Sequence, residues 1–168
     1  MPQNSFDNII ISDTSCLIAL TQINQLDLLK KLYKTVAITP EIANEFKDKK
    51  TLPDWIKIKN VKNTELVKTI NQHLDIGESS AIALANETKN SLLIIDDDKG
   101  RKYALSMGLL ITGTIGVLRQ AYDSGFIESP EKALILINEL KEKSHFRISE
   151  KVVQNFKSQI NPRKNSET

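Results

Sequence analysis

Carboxylates stand at four places in this chain where an ordinary surface does not call for them. Asp13 ends the apolar run Ile9-Ile10-Ile11-Ser12 and is followed by Thr14 and Ser15. Glu45 lies three residues after Ile42, on the edge of the apolar stripe that Ile42 and Phe46 form. Glu78 shares a helical face with Ala81, Ile82 and Ala85, whose small side chains allow close approach to a sheet. Asp96-Asp97-Asp98 end a second apolar run, Leu92 to Ile95. Two like charges 4 Å apart repel by about 1 kcal/mol in water and about 4 kcal/mol at an effective dielectric of 20. Gathering several acids would therefore consume a large share of a domain's stability, and a divalent cation removes the conflict. Oxygen-only donors suit Mg²⁺ or Mn²⁺, not zinc. Such an ion keeps waters, one of which can become a nucleophile. His73 and His145 lie outside these motifs, and no Ser-His-Asp or Cys-His arrangement is visible.

The same residues have plainer uses. Asp13, Thr14 or Ser15 can simply cap the next helix. Glu41 and Glu78 sit in first helical turns, where a carboxylate favours the helix dipole; Glu41 belongs to the solvent face. Glu45 can be a boundary residue. Three adjacent acids cannot all point into one place, so Asp96 and Asp97 both stay open as site residues and Asp98 is the cap or loop residue. Lys99, Arg101 and Lys102 follow closely and could meet phosphates, or merely begin a solvated helix; Arg101 could equally tie down the Asp96 loop. Gly113-Thr114 opens a helix after a strand, where backbone N–H groups can hold an anion, or it is a tight turn with a threonine cap.

The elements that must position these residues follow from periodicity. Residues 8–12, 35–39, 92–95 and 109–112 read as strands, and 53–61 as an ambiguous extended piece. Helices are expected over 15–33 with a break near Asn24, after Pro40, over 64–74, from Gly77 to Thr88, over 99–107, after Gly116, after Pro130 and after Ser149. The apolar runs suit strands covered on both faces. Strands alternating with helices imply an α/β fold with a parallel sheet, and ligands in such sheets sit beyond the carboxyl ends of the strands. The 168 residues fit one domain, 1–160, with a C-terminal helical segment over 130–160 and a loose tail over 161–168. The net charge of +2 neither demands nor excludes nucleic acid. Cys16 is the one cysteine, so neither a disulfide framework nor a cysteine zinc site is available. No secretory h-region or spanning segment is visible, and the expected location is the cytoplasm.

In their order and spacing these motifs resemble the PIN-domain family, the fold of VapC-type toxin ribonucleases, and within it a branch of PIN-like proteins mostly without assigned function. The resemblance is carried by Ile11-Ser12-Asp13-Thr14-Ser15, by Thr39-Pro40-Glu41-Ile42-Ala43-Asn44-Glu45, and by Leu74-Asp75-Ile76-Gly77-Glu78 with Ala81 to Ala85. It continues in Ile95-Asp96-Asp97 with Gly100-Arg101, and in Gly113-Thr114-Ile115-Gly116. It spans residues 8 to about 150. It implies a three-layer αβα fold with a parallel sheet of four to five strands, and a metal-dependent endoribonuclease. By family position the acids are Asp13, Glu45, Glu78 and Asp97, with Asp96 as the strand-terminal alternative; Ile95 stands where the family has threonine. Metal ligation falls to Asp13, Glu78, Asp97 and Asp96, with Mg²⁺ or Mn²⁺ as cofactor. Thr14 or Ser15 resembles the hydroxyl that supports the first acid, and Thr14, Ser15, Lys99, Arg101 and Thr114 are the candidate substrate contacts. The implied partners are RNA, an antitoxin protein if the chain is a toxin, and a second copy of the chain. The alternative is a catalytically inactive PIN-like module that binds RNA or protein. The segment over 130–160 departs from the compact toxins.

Overall fold

The structure is a computed structural model that describes residues 8–47, 51–144 and 148–160. The tail over 161–168, His145 and the charged run from Asp48 to Lys50 lie outside the described residues. Strand β1 (Ile9–Ser12) runs into helix α1 (Thr14–Gln22). The expected break follows: Asn24 takes a positive φ of 56°, and the chain restarts as α2 (Asp27–Tyr33). Then come β2 (Val36–Ile38), α3 (Pro40–Lys47), β3 (Ile56–Ile58), α4 (Thr64–Asn71) and α5 (Ile76–Glu87). The second half is β4 (Ser91–Ile94), α6 (Asp98–Ser106), β5 (Ile111–Thr112), α7 (Thr114–Asp123), α8 (Pro130–Lys143) and α9 (Glu150–Ile160). The ambiguous stretch before Val61 thus supplies a strand, β3, and the fourth expected strand shortens to two residues.

The five strands form one parallel sheet in the order β3-β2-β1-β4-β5. Neighbouring residues of a strand face opposite sides of a sheet. Ile10 and Ile11 are both buried, as are Leu93 and Ile94, so helices cover both faces of the two central strands. This is the αβα layering expected. Among the helices, α3 packs on α1 and α5, and α5 also packs on α4. The C-terminal pair folds back onto the domain: α8 packs on α1 and α7, and α9 on α7 and α8. Val153, Phe156 and Ile160 seat α9 in the common core. No described helix is long and apolar enough to cross a membrane.

Register sets the site. Ser12 pairs with Ile94, and the Asp13 amide donates to the Ile94 carbonyl at 3.0 Å. Ile94 pairs with Thr112, and the Ile95 amide donates to the Thr112 carbonyl at 2.9 Å. The ends of β1, β4 and β5 are therefore level, and Asp13, Asp96 and Thr114 leave the sheet side by side. Ile11 is central to this ladder and fully buried. Its replacement by alanine should cost about 2–5 kcal/mol, the usual range for a truncated core isoleucine, as urea denaturation will show.

Candidate metal centre

The first carboxylate is placed by a helix start. Asp13 is the extended N-cap of α1, and its Oδ1 accepts the Thr14 amide at 2.7 Å. Capping and site are not alternatives here: one oxygen caps, while the residue is only 3% exposed at the strand ends. Burial pushes its pKa up to about 7; the Thr14 N–H opposes this, and the charges of Asp75, Glu45 and Asp96 add to it. The Thr14 hydroxyl donates to Glu45 Oε2 at 2.5 Å, joining α1 to α3. Thr14 is itself buried and holds a carboxylate of the protein. Glu45 is exposed by area, so its inward lean is confined to the carboxylate, which lies over Gly77. A Cβ at position 77 would come within 2.8 Å of Glu45 Oε1.

Glu78 is placed from the opposite direction. Asp75 caps α5, its Oδ1 accepting the Glu78 amide at 2.8 Å. Behind it, Thr39 and Ser80, both fully buried, share a 2.7 Å hydroxyl bond that locks the start of α3 to α5. Glu78 is 8% exposed. Burial, then the charges of Asp75, Asp13, Asp97 and Glu45, push its pKa up to about 8. Gly100 admits α6 beside it: a Cβ there would meet Ile95 Cδ1 at 2.7 Å and stand 3.7 Å from the Glu78 carboxylate carbon.

The aspartate triplet separates by role. Asp96 receives two bonds from Thr114, amide to Oδ1 at 2.8 Å and hydroxyl to Oδ2 at 2.6 Å. Burial raises its pKa, against these bonds and the nearby Arg101. Asp97, not Asp98, is the N-cap of α6, its Oδ2 accepting the Gly100 amide at 3.0 Å. Asp97 is exposed, and its charge reaches Glu78. Arg101 Nη1 donates to the Ile95 carbonyl at 2.8 Å, so it does tie down the Asp96 loop. Thr114 is fully buried, with both donors turned to Asp96. The helix start at Gly113-Thr114 holds an anion, but the protein's own. Glu41 also departs from expectation, since its Oε2 is buried without a hydrogen-bond partner among the described residues. Ser15, Lys99 and Lys102 are exposed. Cys16 is fully buried, and its thiol is pushed far up by that burial.

Sequence reasoning missed Asp75 as a member of the cluster. The signal was present: Asp75-Ile76-Gly77-Glu78 has the spacing of a capping box, which brings positions one and four together. Six carboxylates thus surround the ends of β1 and β4, and none takes part in the three ion pairs found among the described residues. Among the described residues, no three Asp, Glu, His or Cys side chains stand in a ready-made metal-ligand arrangement. The donor chemistry nevertheless fits a hard divalent ion: all oxygens, with two carboxylates whose charged forms are disfavoured by burial and by neighbouring acids.

Two outcomes follow. A raised folded-state pKa contributes stability that is present at low pH and lost as pH rises through the folded value. In chelator, the stability of the wild type relative to Glu78→Gln should therefore fall as pH rises from 5 to about 8, as urea denaturation measures, and Mg²⁺ or Mn²⁺ should restore it. Gly77→Ala should change stability by no more than about 1 kcal/mol, because the helical gain of alanine over glycine offsets loss of the Thr14–Glu45 hydrogen bond. By displacing the Glu45 carboxylate it should weaken divalent-ion binding about tenfold in calorimetry.

A search of the curated proteins and one of the solved structures gave no match. The family model described as DUF3368, a PIN domain, matches residues 9–162. That match runs from β1 to the end of α9 and takes in every acid of the cluster, and the chain belongs to the PIN-domain family.

Proposed function

We propose that the chain is a metal-dependent endoribonuclease that hydrolyses RNA phosphodiester bonds. The carrying observation is the burial of Asp13 and Glu78 among four further carboxylates, with no ion pair to offset them among the described residues. PIN-domain membership supports a nuclease-type fold and the use of divalent metal. Asp13, Glu78 and Asp97 would hold Mg²⁺ or Mn²⁺, with Asp96 and Glu45 as inner or outer partners. The ion would lower the pKa of a bound water and neutralise charge on the leaving oxygen. Thr14 orients Glu45, Asp75 orients the turn that carries Glu78, and Thr114 fixes the Asp96 carboxylate. Ser15, Lys99, Arg101 and Lys102 stand close enough in sequence to meet the RNA backbone. As a toxin, the chain would be silenced by a small protein covering the acids, and it would act in the cytoplasm, alone or as a homodimer.

The test is incubation of the purified protein with mixed RNAs and Mg²⁺, Mn²⁺ or chelator. Cleavage should require the ion. Asp13→Asn and Glu78→Gln should each lower it at least about 10²-fold, the scale of a single preorganised electrostatic group, with circular dichroism unchanged. RNA retention by the wild type without cleavage in either metal would replace this reading by that of an inactive binding module.

A further inference from the structure

An open cleft of about 770 Å³ adjoins the acid cluster, between the end of β4, the β5–α7 turn and the start of α9. Its lining is of two kinds. Asp96, Asp97 and Arg101 belong to the site already described; Ile111, Ile115 and Val152 do not. Val152 is 39% exposed, although its neighbours Val153, Phe156 and Ile160 seat α9 in the core. The helix is thus anchored without Val152, which is left as an apolar wall over the cleft. The hydroxyl-bearing residues Ser15 and Ser149 also line it.

We propose that this cleft is a nucleobase subsite, which receives the base next to the scissile phosphate. The inference rests on the nuclease reading above and names the part of the substrate that α9 recognises. A base has apolar faces and a polar edge, which match the isoleucine and valine walls and the serine hydroxyls. The volume lies in the usual range of small-ligand sites, about 300–1,000 Å³. Asp96, Asp97 and Asp98 outnumber Arg101 in the lining, so the field disfavours a bare anion and admits a neutral ring. The cleft opens onto Asp96 and Asp97, so a nucleotide whose phosphate lies at the acids places its base here.

Titration of the methyl-labelled wild type with the four nucleoside 5′-monophosphates, in Mg²⁺, tests this. These are phosphomonoesters, so no turnover is needed. The methyl resonances of Ile111, Ile115 and Val152 should shift with at least one of them and stay still with ribose 5-phosphate. Val152→Trp should weaken that binding at least tenfold, with the Val153 resonance in place as proof that α9 is still seated. Silent methyls, equal shifts with ribose 5-phosphate, unaltered affinity in Val152→Trp, or shifts that follow protein concentration alone would each overturn the subsite. Absence of RNA cleavage would overturn the nuclease reading instead, leaving the titration interpretable.

Discussion

Burial of neighbouring carboxylates at the ends of β1 and β4 is the constraint around which the rest of this structure is arranged. Asp13 and Glu78 are nearly removed from water, and each is held in a partly protonated range by burial and by the other acids. Burial of a charge is costly unless it is paired or coordinates a metal. The protein offers these two no cationic partner among the described residues, and Arg101, the nearby cation, serves the Asp96 loop.

Much of the surrounding architecture reads as support for that arrangement. The parallel register brings Asp13 and Asp96 out side by side. Thr39 and Ser80 bind α3 to α5, and so hold the helices of Glu45 and Glu78 at a set separation. Gly77 and Gly100 lie where a side chain would crowd Glu45 or the Ile95–Glu78 packing. Three of the acids, Asp13, Asp75 and Asp97, also cap helices. A cap uses one carboxylate oxygen and fixes the rotamer, which is how a flexible acid becomes a positioned one.

The two outer parts of the sheet contribute differently. At β5 the strand lasts only two residues before Gly113 and Thr114 turn to meet Asp96. This short edge, with α9 laid near it, leaves the cleft open beside the acids. On the other side β3 extends the sheet to five strands, and the hydroxyl bond at Thr39 secures the α3 end.

The linear chain was enough to place the buried strands, the parallel α/β class and the acids at 13, 45, 78 and 96–97. Those features rest on local apolar patterning and on spacing within one element, which hold before any long-range contact forms. It could also have yielded Asp75, through its capping-box spacing. It could not show that Asp96 is held by Thr114 while Asp97 caps α6, because Thr114 is brought in from beyond β5 across the sheet. Nor could it show that Thr14 reaches Glu45, or that Val152 is left over a cleft while Val153 is buried. Hydrogen bonds over 18 and 31 residues are settled by strand register and helix packing. Those are properties of the assembled sheet, and no single stretch of sequence contains them.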